Sequence, residues 1–421
     1  MRTLKCNILP LAAAAALTAL AGHAYADEEG FHGYFRAGAG TSVTGDHGPQ
    51  GCYGLGGNTM KYRLGNECDA YFEGGYGKEI AKSDGVSYVA TLWTNIYSPQ
   101  SSFADAKLGI TKAFVEAKGL PFLNGGVAWI GQRHYNRPDI HMLDLQYINL
   151  NGTGGGVDRV PVGPGKFSYA FFKDNDATQT DATGKVTTGA ATRQNLLYQD
   201  MPVNPGGTLD LATSIITAQG DQNGAPRHGG WQLSAFHKQS EVMGGANTFG
   251  VQYGVGPGTG VGGPCCDRIG AAGSTLLGAD VKRTRVFDSL WIQPSPQFGM
   301  EMVALVQKDR SDAAGTTTWT SAGIRPAYAL NSNFKLVVEL GTDRVTPGDG
   351  GPAMRLTKLT FAPTISAGPG LWSRPELRTF ITYGKWNDAA TAAVNANNNS
   401  GPIYNNRTSG VSAGVQVETW F

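Results

Sequence analysis

Beyond its first 26 residues the chain has no run near the ~18 consecutive apolar residues that mark a membrane-spanning helix. Any passage through a bilayer therefore requires a closed barrel, because only closure satisfies every backbone N–H and C=O in hydrocarbon. Charge is scarce, at 16% of 421 residues, and neither sign dominates, with 34 Lys and Arg against 33 Asp and Glu. A nucleic-acid partner would show as a basic excess and is not expected. Cysteine is rare, five in all, and no second Cys or His pair stands at zinc-ligand spacing. No His-Glu-x-x-His occurs, so neither catalysis nor a cofactor is expected. What the chain has in quantity is glycine, 60 residues, together with 10% aromatics, a balance unlike that of a disordered chain.

The first residues read as a secretory leader, 1–26. Arg2 and Lys5 supply the positive start, Ile8 to Ala21 the apolar core, and Ala24-Tyr25-Ala26 the small residues before a cleavage site. The apolar run is shorter than the ~20 residues of a spanning helix, which counts against a membrane anchor. Residues 27–421 then form one unit, with no linker or composition shift to divide it. Removing Arg2 and Lys5 leaves 32 basic against 33 acidic residues. Cys6 leaves with the leader, and four cysteines remain in an oxidising compartment. Cys52 and Cys68 bracket a glycine-rich stretch and read as a loop disulfide. Adjacent Cys265 and Cys266 either close a strained ring or bond to a neighbouring loop, and the sequence leaves both open.

Strand faces carry the next step. From Val411 to Phe421 the odd positions are Val411, Ala413, Val415, Val417, Thr419 and Phe421, whereas the even ones include Ser412, Gln416, Glu418 and Trp420. Successive side chains of a strand face opposite ways, so one face is apolar and ends in an aromatic, and the other is polar. The same sorting places Tyr34 and Arg36 opposite Phe31, Gly33, Phe35 and Ala37. It sets Tyr71 and Glu73 opposite Ala70 and Phe72, and Lys335 and Glu339 opposite Phe334, Leu336, Val338 and Leu340. Glu376, Arg378 and Thr382 oppose Leu377, Thr379, Ile381 and Tyr383, and extending that strand backward adds Trp372 and Arg374 to the polar face. In a soluble protein the aliphatic face is core; in an outer-membrane barrel it meets lipid, and the charged face lines water. The leader, the missing catalytic signatures and the terminal aromatic strand favour the barrel. Polar or glycine-rich stretches at Gly152–Gly165, Asp174–Thr192, Gly254–Gly263 and Asn395–Ser400 read as its loops, longer than a compact soluble domain tolerates. The fold expected is an all-β transmembrane antiparallel barrel of 16 or 18 strands.

Three patches invite chemistry. Gly254–Gly263 lacks the Gly-Lys-Ser/Thr of a phosphate loop. Asp174-Asn175-Asp176 could offer calcium its oxygens, but reads better as a solvated loop tip. Asp139, His141 and Asp144 stand close together without a catalytic frame. More telling are inward aromatics beside inward charges: Tyr34 with Arg36, Tyr71 with Glu73, Trp372 with Arg374. A flat ring covers the C–H face of a sugar, while carboxylates and guanidinium groups exchange hydrogen bonds with its hydroxyls. Pairs spaced along a pore let a sugar move stepwise, with binding weak enough to leave. The plainer alternative is pore-lining charge without sugar preference.

At these residues the chain resembles the maltoporin family. The resemblance is carried by Gly30-Phe31-His32-Gly33-Tyr34-Phe35-Arg36, Lys61-Tyr62-Arg63-Leu64-Gly65-Asn66-Glu67-Cys68 and Gly131-Gln132-Arg133-His134-Tyr135. It continues through Arg137-Pro138-Asp139-Ile140-His141-Met142-Leu143-Asp144, Asn204-Pro205-Gly206-Gly207-Thr208-Leu209, Gly323-Ile324-Arg325-Pro326, Leu371-Trp372-Ser373-Arg374-Pro375 and Glu418-Thr419-Trp420-Phe421. It implies a homotrimer of eighteen-stranded barrels in the outer membrane, each with long extracellular loops, an inward-folded third loop and its own channel for maltose and maltodextrins. Tyr34, Tyr71, Trp372 and Trp420 match the family's aromatic slide. Arg36, Arg63, Glu73, Arg137 and Asp144 match its polar track, and Cys52–Cys68 its first-loop disulfide. Departures fall at Gln146, where the family has a constricting aromatic, at Asn149, where it has an aspartate, and at Ala246, where it has a slide phenylalanine. No match for a slide residue from a neighbouring subunit lies between Tyr97 and Phe103. These losses imply weaker maltodextrin binding and broader sugar acceptance. Two alternatives remain: a general or differently selective porin, and a secreted all-β enzyme or lectin.

Overall fold

Eighteen antiparallel strands form one sheet that closes when the first strand pairs with the last. The structure, a computed structural model, describes residues 29–44, 48–56, 61–100, 103–104, 106–180, 186–219, 226–263, 268–396 and 402–421. The leader, Cys265 and Cys266 lie outside the described residues, as do Asn397–Ser400. The wall begins with β1 (Gly30–Ser42), β2 (Ala70–Ser83), β3 (Val86–Ser98), β4 (Lys107–Lys118) and β5 (Val127–Arg133). A two-stranded ribbon follows, β6 (Asp139–Ile140) with β7 (Leu145–Gln146), which does not join the wall. The wall resumes with β8 (Gly152–Val162), β9 (Gly165–Thr180), β10 (Val186–Asn204), β11 (Gly207–Ala218), β12 (Gly230–Val242) and β13 (Gly245–Val255). It ends with β14 (Lys282–Ile292), β15 (Phe298–Ser311), β16 (Gly315–Asn331), β17 (Phe334–Thr346), β18 (Met354–Ser366), β19 (Glu376–Trp386) and β20 (Ser409–Trp420). Register from Tyr34↔Trp420 to Ser42↔Ser412 seals the cylinder.

Alternation explains the closure. In β19 every even residue from Glu376 to Trp386 is buried and every odd one exposed. Val415 of β20 is 53% exposed while Ser412, Gln416 and Glu418 are buried. The buried polar set is the bore and the exposed apolar set is the outer surface, the inverse of a soluble core. Phe421 packs against Phe31 on the outer surface at the short-turn rim, the rings tilted by 30° with centroids 5.2 Å apart, as the parity of the last strand requires. No described helix is long and apolar enough to span a membrane.

The two rims differ. Connections 84–85, 163–164, 205–206 and 243–244 are tight turns, whereas 43–69, 134–151, 256–281 and 387–408 on the other rim are long. Two stretches read as loops are strands instead. Gly152–Gly165 forms β8 and the turn into β9, and Asp174–Thr192 is mostly the β9–β10 hairpin. Glycine shows no face pattern, yet it is required on β8: a Cβ at Gly154 would lie 1.9 Å from the Phe171 carbonyl oxygen. The Asp174 carboxylate is engaged within the wall, accepting from the Arg193 Nε at 2.8 Å, and the side chains of Asn175 and Asp176 lie outside the described residues.

Long loops fold into the bore. The first loop is closed by the Cys52–Cys68 disulfide. Its Tyr62 lies against Gly323 and Gly341, which face each other across β16 and β17; a Cβ on either would meet the ring within 2.3 Å. The third loop, 134–151, buries Ile140, Met142, Leu143, Leu145, Ile148 and Leu150, each contributing about 2 kcal/mol of apolar transfer. Main-chain bonds from Lys61 N to the Leu143 carbonyl (3.3 Å) and Arg63 N to the Met142 carbonyl (3.1 Å) join the first and third loops. The sixth loop adds Asn149 N to the Ile269 carbonyl at 2.9 Å.

Candidate functional site

Cross-strand register builds a row of rings in the bore. Tyr34 on β1 stands opposite Trp420 on β20, and its ring lies 6.2 Å from that of Tyr71 on β2. Trp420 lies 6.3 Å from Trp372, and Trp372 6.0 Å from Trp291 on β14. Five aromatics therefore follow one another: Tyr71, Tyr34, Trp420, Trp372 and Trp291. Parity turns the β-strand members inward. Trp372 arrives by another route than the strand extension expected of it: it sits in the turn 367–375, before β19 begins at Glu376. The turn tucks into the bore because Leu371 is buried and its N–H donates to the Gln293 Oε1 at 2.8 Å.

Cations accompany the rings, though with different partners from those the strand pairs suggested. Arg36 lies over Tyr71 (5.7 Å), Arg63 over Tyr34 (5.9 Å) and Arg374 over Trp420 (4.2 Å). For Arg36 the reason is spacing: facing residues on paired strands stand about 5 Å apart, closer than i and i+2 along one strand, and Arg36 faces Tyr71 in the register. Arg63 and Arg374 come from the first loop and the turn before β19. Each cation–π contact contributes about 0.5–2 kcal/mol.

Carboxylates lock the guanidinium groups. Glu418 accepts from Arg63 (2.8 Å), Arg378 (2.5 Å), Arg374 (3.2 Å) and the Tyr34 hydroxyl (2.9 Å). Arg36 reaches Glu67 (3.0 Å), Asp69 (2.7 Å) and Asp144 (3.4 Å). Glu73 meets Arg137 at 3.3 Å, His134 at 3.1 Å and the Tyr71 hydroxyl. Asp144 takes a left-handed backbone, φ 55°, after the turn His141–Leu143, a conformation aspartate tolerates, and this sets it beside Arg36. Burial pushes its carboxyl up, but Arg36 and Arg63 outweigh burial and hold it below the ordinary range.

The third loop also carries a polar pair. Gln146 Oε1 accepts from Asn149 Nδ2 at 2.6 Å and from the Arg268 guanidinium at 2.5 Å. All eleven predicted ring and polar residues are thus brought into one bore-facing system. Sequence reasoning missed Trp291, Glu67, His134, His141, Arg268, Glu301 and Arg325 as members. Parity along β14 could have found Trp291, whose cross-strand neighbour is Ala246; Arg268 had no such signal, lying in an irregular loop. Phe103 stacks on Phe35 (6.0 Å) on the outer wall and adds no ring to this bore. Gly410-Val411-Ser412-Ala413-Gly414 spells a hydrolase motif, but it lies within β20, with no helix to follow it.

Two third-loop histidines give the site a pH signature. Burial draws His141 down, yet Glu418 at 3.2 Å outweighs it and holds the imidazole above its ordinary value. Its contribution is complete below about pH 6.5 and is lost as pH rises through the elevated value. His134 is pushed down to about 4, first by burial and then by Arg137. Its contribution is present above about pH 6.5 and is lost as pH falls through about 4. Proteolytic protection of the third loop is therefore expected to fall at both ends of the pH scale. His134→Gln should remove the acid limb and His141→Gln the alkaline one.

Comparison with known proteins places this geometry. The family model for LamB porin matches residues 30–421. Among solved structures, an anion-selective porin from Comamonas acidovorans is 11% identical with a TM-score of 0.48, covering 93% of this chain and 98% of that one. The OmpT outer membrane protein of Vibrio cholerae, in trimer form, is 9% identical with a TM-score of 0.46 over 93% and 98%. Wzi of Escherichia coli, described as a carbohydrate-binding β-barrel, is 12% identical with a TM-score of 0.45 over 92% and 83%.

Proposed function

Because the chain belongs to the LamB porin family, an outer-membrane diffusion channel and no enzyme, we propose that its bore passes maltose, maltodextrins or related oligosaccharides. The observation that carries this reading is the row of five rings with a guanidinium over three of them. Rings receive the C–H faces of successive sugar units, and the polar side chains exchange bonds with the rim hydroxyls. In this reading Tyr34, Tyr71, Trp372 and Trp420 form the slide. Arg36, Arg63, Glu73, Arg137, Asp144, Gln146 and Asn149 form the track. The working form is a homotrimer in outer-membrane lipid, exported by cleavage after Ala26.

Selectivity follows from the departures. Ala246 offers no ring, but Trp291 across the strand pair supplies one beside Trp372. Gln146 replaces a constricting ring by an amide tied to Arg268. Gln146→Tyr is expected to tighten maltohexaose block of single-channel current about fivefold, the worth of one stacked ring at ~1 kcal/mol. Unchanged block would remove Gln146 from the constriction.

The test of the function is sugar flux into liposomes carrying the purified protein. Saturating uptake of maltodextrins, competed by maltohexaose, is the expected result. Flux of every small solute in proportion to size, without saturation, would show a general porin instead.

A further inference from the structure

The outer wall of β14–β19 carries basic side chains near the long-loop rim. Lys282, Lys308, Arg310, Arg344, Arg355 and Lys385 all sit within four residues of that end of their strands. The register puts each on the outward face, in line with exposed Val286, Val306, Leu359 and Ile381 lower on the same strands. Two of the cross-strand pairs are like-charged: Lys282 faces Arg310, and Arg344 faces Arg355. Like charges directly opposite destabilise a sheet. No described carboxylate pairs with any of the six. Acids such as Glu339 and Asp309 point into the bore, against Arg325 and Arg283, and the outward Asp288 lies lower on β14, accepting from Asn247. Threonines fill the gaps, with Lys308 between Thr284 and Thr318, Arg344 beside Thr320, and Lys385 beside Thr357.

We propose that this belt is a docking surface for a phosphorylated glycolipid of the outer leaflet. The chemistry fits in three ways. Lipid-facing charge is tolerated in a barrel only near the interface, which is where headgroup phosphates lie. Arginine grips phosphate bidentately, and a shared phosphate between Arg344 and Arg355 turns a repulsive pair into a clamp. The interleaved threonine hydroxyls match the hydroxyls of a sugar headgroup, while the apolar wall below receives its acyl chains. Inorganic phosphate meets only the second of these, the arginine clamp.

The test uses the full-length protein in detergent, with bisphosphorylated lipid A as probe and bound lipid read by native mass spectrometry. Wild type is expected to retain the bisphosphorylated form and release its dephosphorylated counterpart. Millimolar inorganic phosphate should not displace it. R344S/R355S should lower retention about 30-fold, at roughly fivefold per charge near a membrane surface. R344K/R355K should recover part of it, and K173S, on the far wall, should change nothing. Heat-modifiable migration and unchanged conductance show that each variant is folded, and no arm depends on sugar transport. Equal retention by R344S/R355S, equal retention of the dephosphorylated lipid, or displacement by inorganic phosphate would each overturn the proposal.

Discussion

Replacing both Trp372 and Trp420 by alanine is expected to weaken maltohexaose binding about a hundredfold, read as the sugar concentration that half-blocks single-channel current. Each indole offers up to ~200 Å² of apolar surface. Stacking one sugar face on part of it contributes roughly 1–1.5 kcal/mol at 25 cal/mol per Å², or about tenfold in affinity. The pair should act together. The rings stand 6.3 Å apart, and both meet the His141 imidazole edge-on, at 5.2 and 6.0 Å. Removing one leaves a gap in the row, and removing both cuts Trp291 off from Tyr34. Conductance to small ions should rise modestly as the bore widens. W372F/W420F should keep most of the affinity, because a smaller ring still stacks. Full-strength binding in the alanine variant would place the sugar elsewhere.

The other large effect belongs to Glu418. Its buried carboxylate joins Arg63, Arg374, Arg378, His141 and Tyr34. Truncating one partner of a buried ion pair costs about 3–5 kcal/mol, because the charge left behind stays desolvated. Here the cost should sit near 3 kcal/mol, since the cations keep second partners. Arg63 retains Glu67 at 2.7 Å, and Arg374 and Arg378 retain Glu376 at 3.0 and 3.1 Å. Glu418→Ala should therefore lower the midpoint of urea unfolding in lipid without preventing closure. It should also release Tyr34 and the third-loop His141 from their common anchor, so sugar block weakens alongside stability. Glu418→Gln, which keeps hydrogen-bond acceptors but no charge, should fall between the two. A variant as stable as wild type would mean the cluster is solvated in the working channel.

Much of this arrangement was legible in single strands. β20 and β19 alternate so strictly that the bore-facing Gln416, Glu418, Trp420, Glu376 and Arg378 follow from spacing alone. β8 was illegible because Gly152, Gly154, Gly155 and Gly156 carry no side chain to declare a face, and the close approach of the β9 backbone demands glycine at Gly154 and Gly156. Trp372 was placed in the bore for the wrong reason, since a turn buried through Leu371 does what a strand extension was expected to do. Pairings across strands were beyond reach without the register: Arg36 belongs with Tyr71, and Arg63, from a loop, with Tyr34. Arg268 shows the limit most plainly. Its contact with Gln146 joins residues 122 apart in sequence, and no local pattern announces a meeting between two infolded loops.

The continuity of the five-ring row is tested most directly by sugar length. Single-channel block should be measured with the glucose series from maltose to maltoheptaose on the unmodified protein. Binding should strengthen with each added unit while further rings remain to be covered, and then level off once the chain spans from Tyr71 to Trp291. A binding constant indifferent to chain length would mean that each sugar meets one isolated site, and the row would not be a path.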